Sequence, residues 1–311
     1  MTKVSQLPQS NLFNEKYHIS GFEGYLKLRD YSASSVKIYL SSVNSLLSFI
    51  EIPLNEMNEL HLIQYRDEMV GRQSLKPTTV NKNLAAIKVF VLYLLEEGAL
   101  KNNISTNVKP IKIQQRKVAP KAMTEKEINL FLQTLARVSR PNVRYRNEAI
   151  VKLALNSGLR VSEICNVNRE DFAFGDRSGS VTVKQGKGLK ERSVLLNDKT
   201  RKALWRHLEY FQDKRGSPVL DSEPMFQSEQ KTRISVRSIQ IIIADTAKEA
   251  KIDRIKITPH VLRHTFATNY YQVSNSDVIG LASMMGHSSL NTTSIYAQPS
   301  EEQVMMDLEK L

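Results

Sequence analysis

Cysteine is almost missing: Cys165 is the one cysteine in 311 residues. A disulfide framework and any cysteine-rich zinc module are thereby excluded. Long apolar runs are missing too. The longest, residues 89–95 (VFVLYLL), falls far short of the ~20 residues that cross a bilayer as a helix. The opening MTKVSQLPQSN lacks the apolar core of a secretory signal. Acidic residues vanish between 98 and 124, a stretch that holds six basic ones. No internal repeat or low-complexity tract is present. The expectation from these absences is an intracellular, cytoplasmic protein with no membrane partner.

What the chain does have is positive charge. Forty-four Lys and Arg stand against 32 Asp and Glu, for a net charge of +12 and a pI near 9.6. The excess is uneven: residues 1–110 carry 12 basic and 10 acidic side chains, residues 111–311 carry 32 and 22. A basic balance concentrated in one part of a chain is the electrostatic footprint of a nucleic-acid binder. A merely soluble basic protein is the plainer alternative.

Hydrophobic residues make up 41% and charged residues 24%, a composition that supports packed cores. The length favours about two domains. Four helical stretches are expected first, at 13–28, 32–50, 55–70 and 78–97. In the last of these Val80, Leu84, Ile87, Val91, Leu94 and Leu95 form a wide apolar stripe between Pro77 and Gly98. The acid-free stretch with Pro110 and Pro120 reads as an extended, basic linker. Beyond it, Thr124-Glu-Lys-Glu is a capping box that opens a helix to about Val138. Helices follow at 147–157 and 160–166. Residues 180–184 (SVTVK) and 192–196 (RSVLL), joined by QGKGLK, read as a β-hairpin. Helices resume at 199–212, 235–250, 259–271 and 276–285, with an amphipathic tail helix at 301–311. The fold class is therefore mainly α: a helical domain, then an α+β domain with a small antiparallel sheet.

Four pieces of the second half stand out. SGLRVSEI puts Arg160 and Glu163 one turn apart at a helix start. Lys187 lies between two glycines in the hairpin turn. HVLRHTFAT puts His260 and Arg263 on one helix face. MGHSSLNTTSIY puts His287 nine residues before Tyr296. Two arginines can fork onto phosphate oxygens and stabilise the added negative charge of a pentavalent phosphorus. A tyrosine is a competent nucleophile, a histidine can take its proton, and a lysine on a turn can protonate a departing oxygen. The set suits transesterification of a phosphodiester without metal. Lys184, Lys187 and Lys190 all compete for the lysine place, and the glycine flanks favour Lys187.

His260 and His264 have zinc-like i, i+4 spacing, but no glutamate stands in the metalloprotease position, so the pair is not read as a metal site. His264 is assigned a structural place, on the reading that it points ~100° away from the His260 face. Cys165 is expected as a small core residue.

Together these stretches resemble the tyrosine recombinase, or phage integrase, family. LRVSEI, HVLRHTFAT and MGHSSLNTTSIYAQ appear in that family's order, and the length is similar to Xer-type and transposon-resolvase members. The resemblance implies a helical core-binding, SAM-like domain at 13–100, a linker at 101–121 and a catalytic domain at 122–311 ending in an exchange helix at 301–311. It implies that Arg160 and Arg263 bind the scissile phosphate and that Lys187 is the general acid. His260 assists proton transfer, His287 bonds a phosphate oxygen, Tyr296 is the nucleophile and Glu163 orients the site. Lys76, Lys82 and Arg237 are expected to meet DNA, with ordinary solvated charge as the alternative.

The implied activity is site-specific recombination of double-stranded DNA, with no cofactor, metal or ATP, through a 3′-phosphotyrosyl intermediate and a Holliday junction. The implied assembly is a homo-tetramer on paired sites, a dimer per site, open to accessory DNA-binding proteins. Bound to DNA, the protein would associate with the bacterial nucleoid. Integration, excision and resolution share this architecture, and the reading leans towards a mobile element. A DNA-binding regulator that acts by occupancy and a type IB topoisomerase are the rivals. The first would form no covalent complex, and the second would relax plasmids lacking a target site.

Overall fold

The computed structural model describes residues 9–72, 75–113, 121–184, 191–274, 276–286 and 293, with side chains from His18 onward. The chain divides into two compact units, 1–116 and 117–311. Among the described residues there are eleven α-helices and three strands, the mainly α composition expected from the sequence.

The first unit holds α1 (Gln9–Leu28), α2 (Ala33–Ile50), α3 (Glu59–Gly71) and α4 (Pro77–Glu96). Ser32 starts α2 by accepting the Ser35 N–H at 3.2 Å. The helix expected at 55–70 begins at Glu59 instead. Asn58 Oδ1 accepts the Leu60 and His61 N–H groups and so sets the N-terminus there, behind a short 3-10 turn at Leu54–Glu56. The α4 helix packs on all three others. Its stripe of Val80, Leu84, Ile87, Phe90, Val91 and Leu94 meets Phe22, Leu26, Val43, Leu46, Leu62 and Tyr65 in one core.

The stretch that composition assigns to a linker belongs to this unit as far as Ile111. Leu100 and Val108 are buried in its core. The Asn81 side chain donates to the Ile111 carbonyl at 2.9 Å and accepts its N–H at 2.8 Å, pinning that backbone to α4. Lack of acid marks the segment's charge, but Leu100, Ile104, Val108 and Ile111, together with the Asn81 bonds, decide its docking.

The second unit holds α5 (Glu125–Val138), α6 (Arg144–Ser157), α7 (Val161–Asn166), β1 (Phe172–Phe174), β2 (Gly179–Val183), β3 (Arg192–Leu195), α8 (Asp198–Arg215), α9 (Val236–Glu249), α10 (Pro259–Val273) and α11 (Val278–Met285). The capping box of α5 is formed as read: Thr124 Oγ1 accepts the Glu127 N–H and Glu127 accepts the Thr124 N–H. The α6 helix starts three residues before the expected Asn147. That asparagine is buried inside the helix and bonded to Arg146 and Ser139.

The sheet has the order β1-β2-β3, antiparallel throughout. Val181 pairs with Val194 and Val183 with Arg192, so the hairpin exists as expected; β1 adds an unexpected third strand. Three residues (FAF) are too few to show an alternation, and only pairing with β2 makes them a strand. The core joins Phe131, Leu135, Ile150, Leu153, Val181, Val194, Leu204, Phe226, Ile243 and Leu262. The α6 helix lies against α5, α7, α8, α9 and α10. Its C-terminal end therefore meets both α7 and α10, which places SGLR beside HVLR.

Candidate active site

The α6 helix ends at Gly158, whose φ of +65° turns the chain sharply. A side chain there would collide with the Phe266 ring, 2.5 Å from an added Cβ. The turn delivers Arg160 to the N-cap of α7. Glu163, one turn on, accepts the Arg160 backbone N–H at 2.7 Å and its Nη1 at 2.9 Å. The sequence-level pairing of Arg160 with Glu163 is thus a real contact, and it fixes the arginine's root.

Arg263 comes from α10, which Thr258 caps and Pro259 opens. It is buried and donates to the carbonyls of Gly158 and Met285, the latter at 2.7 Å. Its Nη1 lies 4.0 Å from Glu163 Oε2. Arg160 differs in exposure: 43% of its side chain is accessible against 5% for Arg263. Arg160 therefore presents the open guanidinium and Arg263 the braced one.

His260 sits one turn before Arg263. Burial, then the charges of Arg263 and Arg160, push its pKa below the ordinary value, which favours the neutral imidazole. A neutral imidazole can accept a proton. The His264 ring packs edge-on against His260 with centroids 4.1 Å apart. This corrects the expectation that His264 points well away: four residues advance a helix by about 40°, not 100°.

Sequence reasoning missed Arg192, the first residue of β3. Its Nη1 and Nη2 donate to the two oxygens of Glu163 at 3.1 and 2.8 Å, and its Nε donates to the Met284 carbonyl at 3.1 Å. Only 11% of its side chain is accessible. A signal was present. Arg192, Val194 and Leu196 share one face of the alternating RSVLL, and that face is the core. An arginine there needs a partner.

Burial alone would raise the Glu163 carboxyl, but the hydrogen bonds from Arg192 and Arg160 outweigh it and hold the group below the usual carboxylate range. Glu163 is therefore the anionic hub of three arginines. Gly286 ends α11 with φ +64°, and an added Cβ would stand 2.7 Å from the Arg192 guanidinium. Its carbonyl lies 3.5 Å from Arg160 Nη2.

Lys187, His287, Tyr296 and the tail helix at 301–311 lie outside the described residues. The segment with Lys187 is flanked by Lys184 and Glu191, and His287 directly follows Gly286. Lys184, one of the three candidate lysines, is ion-paired to Asp171 at 2.6 Å and Glu170 at 2.9 Å. Those two bonds raise its pKa, Asp171 contributing most.

Lys76, Lys82 and Arg237 are all exposed. The first two flank the start of α4 in the first unit, and Arg237 lies in the first turn of α9 in the second. Cys165 is buried, and burial pushes its thiol up to about 11, as befits a core residue. Among the described residues no three His, Cys, Asp or Glu gather as metal ligands, and no helix is long and apolar enough to cross a membrane.

Two family models match this chain: the Phage integrase family over residues 121–303, and the Phage integrase N-terminal SAM-like domain over 19–99. Tyrosine recombinase XerC of Thermodesulfovibrio yellowstonii is 31% identical over 91% of this chain and 92% of its own. The TnP I resolvase of Bacillus thuringiensis is 26% identical over 93% and 98%. In fold, the chain is similar to XerH site-specific recombinase bound to palindromic difH substrate, with a TM-score of 0.73 and 20% identity over 99% of this chain and 90% of that one. The chain belongs to the phage integrase family, the tyrosine recombinases, and is of Xer type. Its class of activity is site-specific DNA recombination, the cleavage and rejoining of DNA strands.

Proposed function

We propose that Arg160, Arg263, His260, Lys187, His287 and Tyr296 form the strand-cleavage centre of this recombinase, with Glu163 orienting the arginines. The meeting of Arg160 and Arg263 at Glu163, with His260 beside the two arginines, carries this reading. It unites two sequence segments about a hundred residues apart in one basic pocket.

In this mechanism Tyr296 Oη attacks a DNA phosphorus. A bond from the tyrosine oxygen to phosphorus forms as the bond to the 5′ oxygen breaks. His260 accepts the tyrosine proton, and Lys187 gives one to the departing 5′ oxygen. Arg160 and Arg263 stabilise the charge on the non-bridging oxygens, and His287 bonds one of them. A 5′-hydroxyl from the partner strand reverses the step. Two such exchanges pass through a Holliday junction. One phosphodiester replaces another, so the chemistry calls for neither ATP nor metal.

The binding partner in this reading is a double-stranded recombination site. The domains are a SAM-like DNA-binding domain at 13–100, a basic linker at 101–121 and a catalytic domain at 122–311. Lys76, Lys82 and Arg237 contact DNA. A dimer occupies each site, and two sites pair in a tetramer closed by the 301–311 helix of each neighbour. Accessory proteins can join this assembly, which sits on the bacterial nucleoid when bound. The substrate DNA belongs to a mobile element that is integrated, excised or resolved.

Covalent trapping tests the centre. Labelled, nicked duplexes from the DNA flanking the protein's own gene are incubated in EDTA with wild type and Tyr296→Phe, then run on a denaturing gel. A protease-sensitive adduct in wild type alone is expected. An adduct that persists in Tyr296→Phe would place the nucleophile elsewhere. Tight, sequence-specific binding with no adduct from either protein would favour a regulator.

A further inference from the structure

The mechanism above leaves Arg192 without a task, although it is among the most heavily bonded side chains of the site. Its guanidinium donates to both Glu163 oxygens and to the Met284 carbonyl, tying β3 and the end of α11 to α7. Two segments assigned catalytic residues adjoin these elements in sequence: residues 185–190, with Lys187, come just before Glu191 and β3, and His287 comes just after Gly286 at the end of α11.

The electrostatics point the same way. A partly buried carboxylate surrounded by arginines competes with any incoming phosphate for their charge. Glu163 takes one side-chain hydrogen bond from Arg160 but two from Arg192. Three guanidiniums around one carboxylate leave an excess of positive charge at the place where the phosphate is to sit. Without Arg192, Glu163 would draw Arg160 more firmly onto itself.

We propose that Arg192 is a positioning residue for strand cleavage: by occupying both oxygens of Glu163 it keeps the Arg160 guanidinium available to the scissile phosphate. The inference rests on the assignment of Arg160 to that phosphate. Arg192 acts through Glu163 and touches no DNA in this scheme. Gly286 is part of the device, because a side chain there would displace the Arg192 guanidinium.

The test uses the full chain and three variants: Arg192→Gln, Glu163→Gln and the double variant. Arg192→Gln is expected to slow covalent-adduct formation roughly 10- to 100-fold, with binding of the same duplex little changed. The double variant removes one positive and one negative charge together. It is expected to recover at least ~10-fold of the loss. A brace that served folding alone would give a double variant no better than Arg192→Gln.

A second readout needs no DNA. The titration midpoint of His260, followed by NMR on histidine-labelled protein, reports the potential of the pocket. His260 faces Arg160 and Arg263 and packs on His264. The midpoint should rise in Arg192→Gln and return towards wild type in the double variant. If Arg192→Gln does not fold, Arg192→Lys keeps the charge but not the fork, and an intermediate cleavage rate is expected. Wild-type cleavage by Arg192→Gln, a double variant no faster than it, or an unmoved His260 midpoint would each overturn the proposal. The expected midpoints with no wild-type adduct would support Arg192's hold on the charge of the pocket and place the fault in the strand-cleavage reading on which the proposal rests.

Discussion

Arg160 and Arg263 carry the same charge to the same pocket, yet their substitutions should read differently. Arg160 is largely open and rooted by its own backbone contact with Glu163. Arg160→Ala is expected to cut cleavage by a hundredfold or more, in line with the ~10²–10³ typical of a lost transition-state donor, with a nearly unchanged melting temperature. Arg263→Ala should lose both. The buried Gly158 and Met285 carbonyls would each lose a donor, at about 1–3 kcal/mol per group. Thermal melts beside adduct-formation rates separate the two.

His207 should add a pH dependence to stability away from the site. It stacks on Phe226, its Nε2 donates to the Met225 carbonyl at 3.0 Å, and burial pushes its pKa down to about 4. Unfolded, it takes up a proton near its ordinary value. Between that value and 4 the unfolded state binds more protons, so stability should fall as pH drops through this window. The loss should reach about 3 kcal/mol by the lower end. Chemical denaturation at several pH values should show it, and His207→Gln should flatten the slope. An equal slope in that variant would assign the effect to other groups.

At the scale of elements, caps and turns set the site's frame. Thr124 and Glu127 close the start of α5, and Arg254 holds Glu127 down to about 2. Thr124→Ala should cost about 1 kcal/mol in equilibrium unfolding. Gly286 is under two constraints, a positive φ and the guanidinium of Arg192 beside it. Gly286→Ala should lower stability by about 1 kcal/mol or more and slow cleavage with it, because strain and displacement fall on the same few atoms. Much of the element layer was legible in the sequence. The α4 stripe, the Thr124 capping box and the β2–β3 alternation each state their own structure. Three features were not. The FAF strand is too short for a period, Asn147 reads as the first residue of a helix when it lies buried within α6, and the segment to Ile111 docks through Asn81.

At the scale of the molecule, the chain combines two compact units with positive charge weighted to the second. Site binding should weaken steeply with salt, log K falling linearly with log salt by about 0.9 per phosphate neutralised. Replacing Lys76, Lys82 or Arg237 with Ala should each reduce that slope by about 1, measured by titration across salt concentrations. An unchanged slope would return that residue to ordinary solvated charge. Removing residues 301–311 should abolish cooperative pairing of sites while single-site binding survives. Unchanged cooperativity would remove the exchange role from the tail.

The amino-acid sequence by itself determined the family, the mainly helical class and the short motifs that bear Arg160, Glu163, His260 and Arg263. Those are local patterns, written in spacing and residue type. The tertiary structure decided what the motifs do to one another. It made Glu163 a shared counter-charge and separated a braced arginine from an open one. It also brought in Arg192 from a strand some thirty residues away. Such relations depend on which elements the core brings together, and a linear pattern holds no measure of that distance.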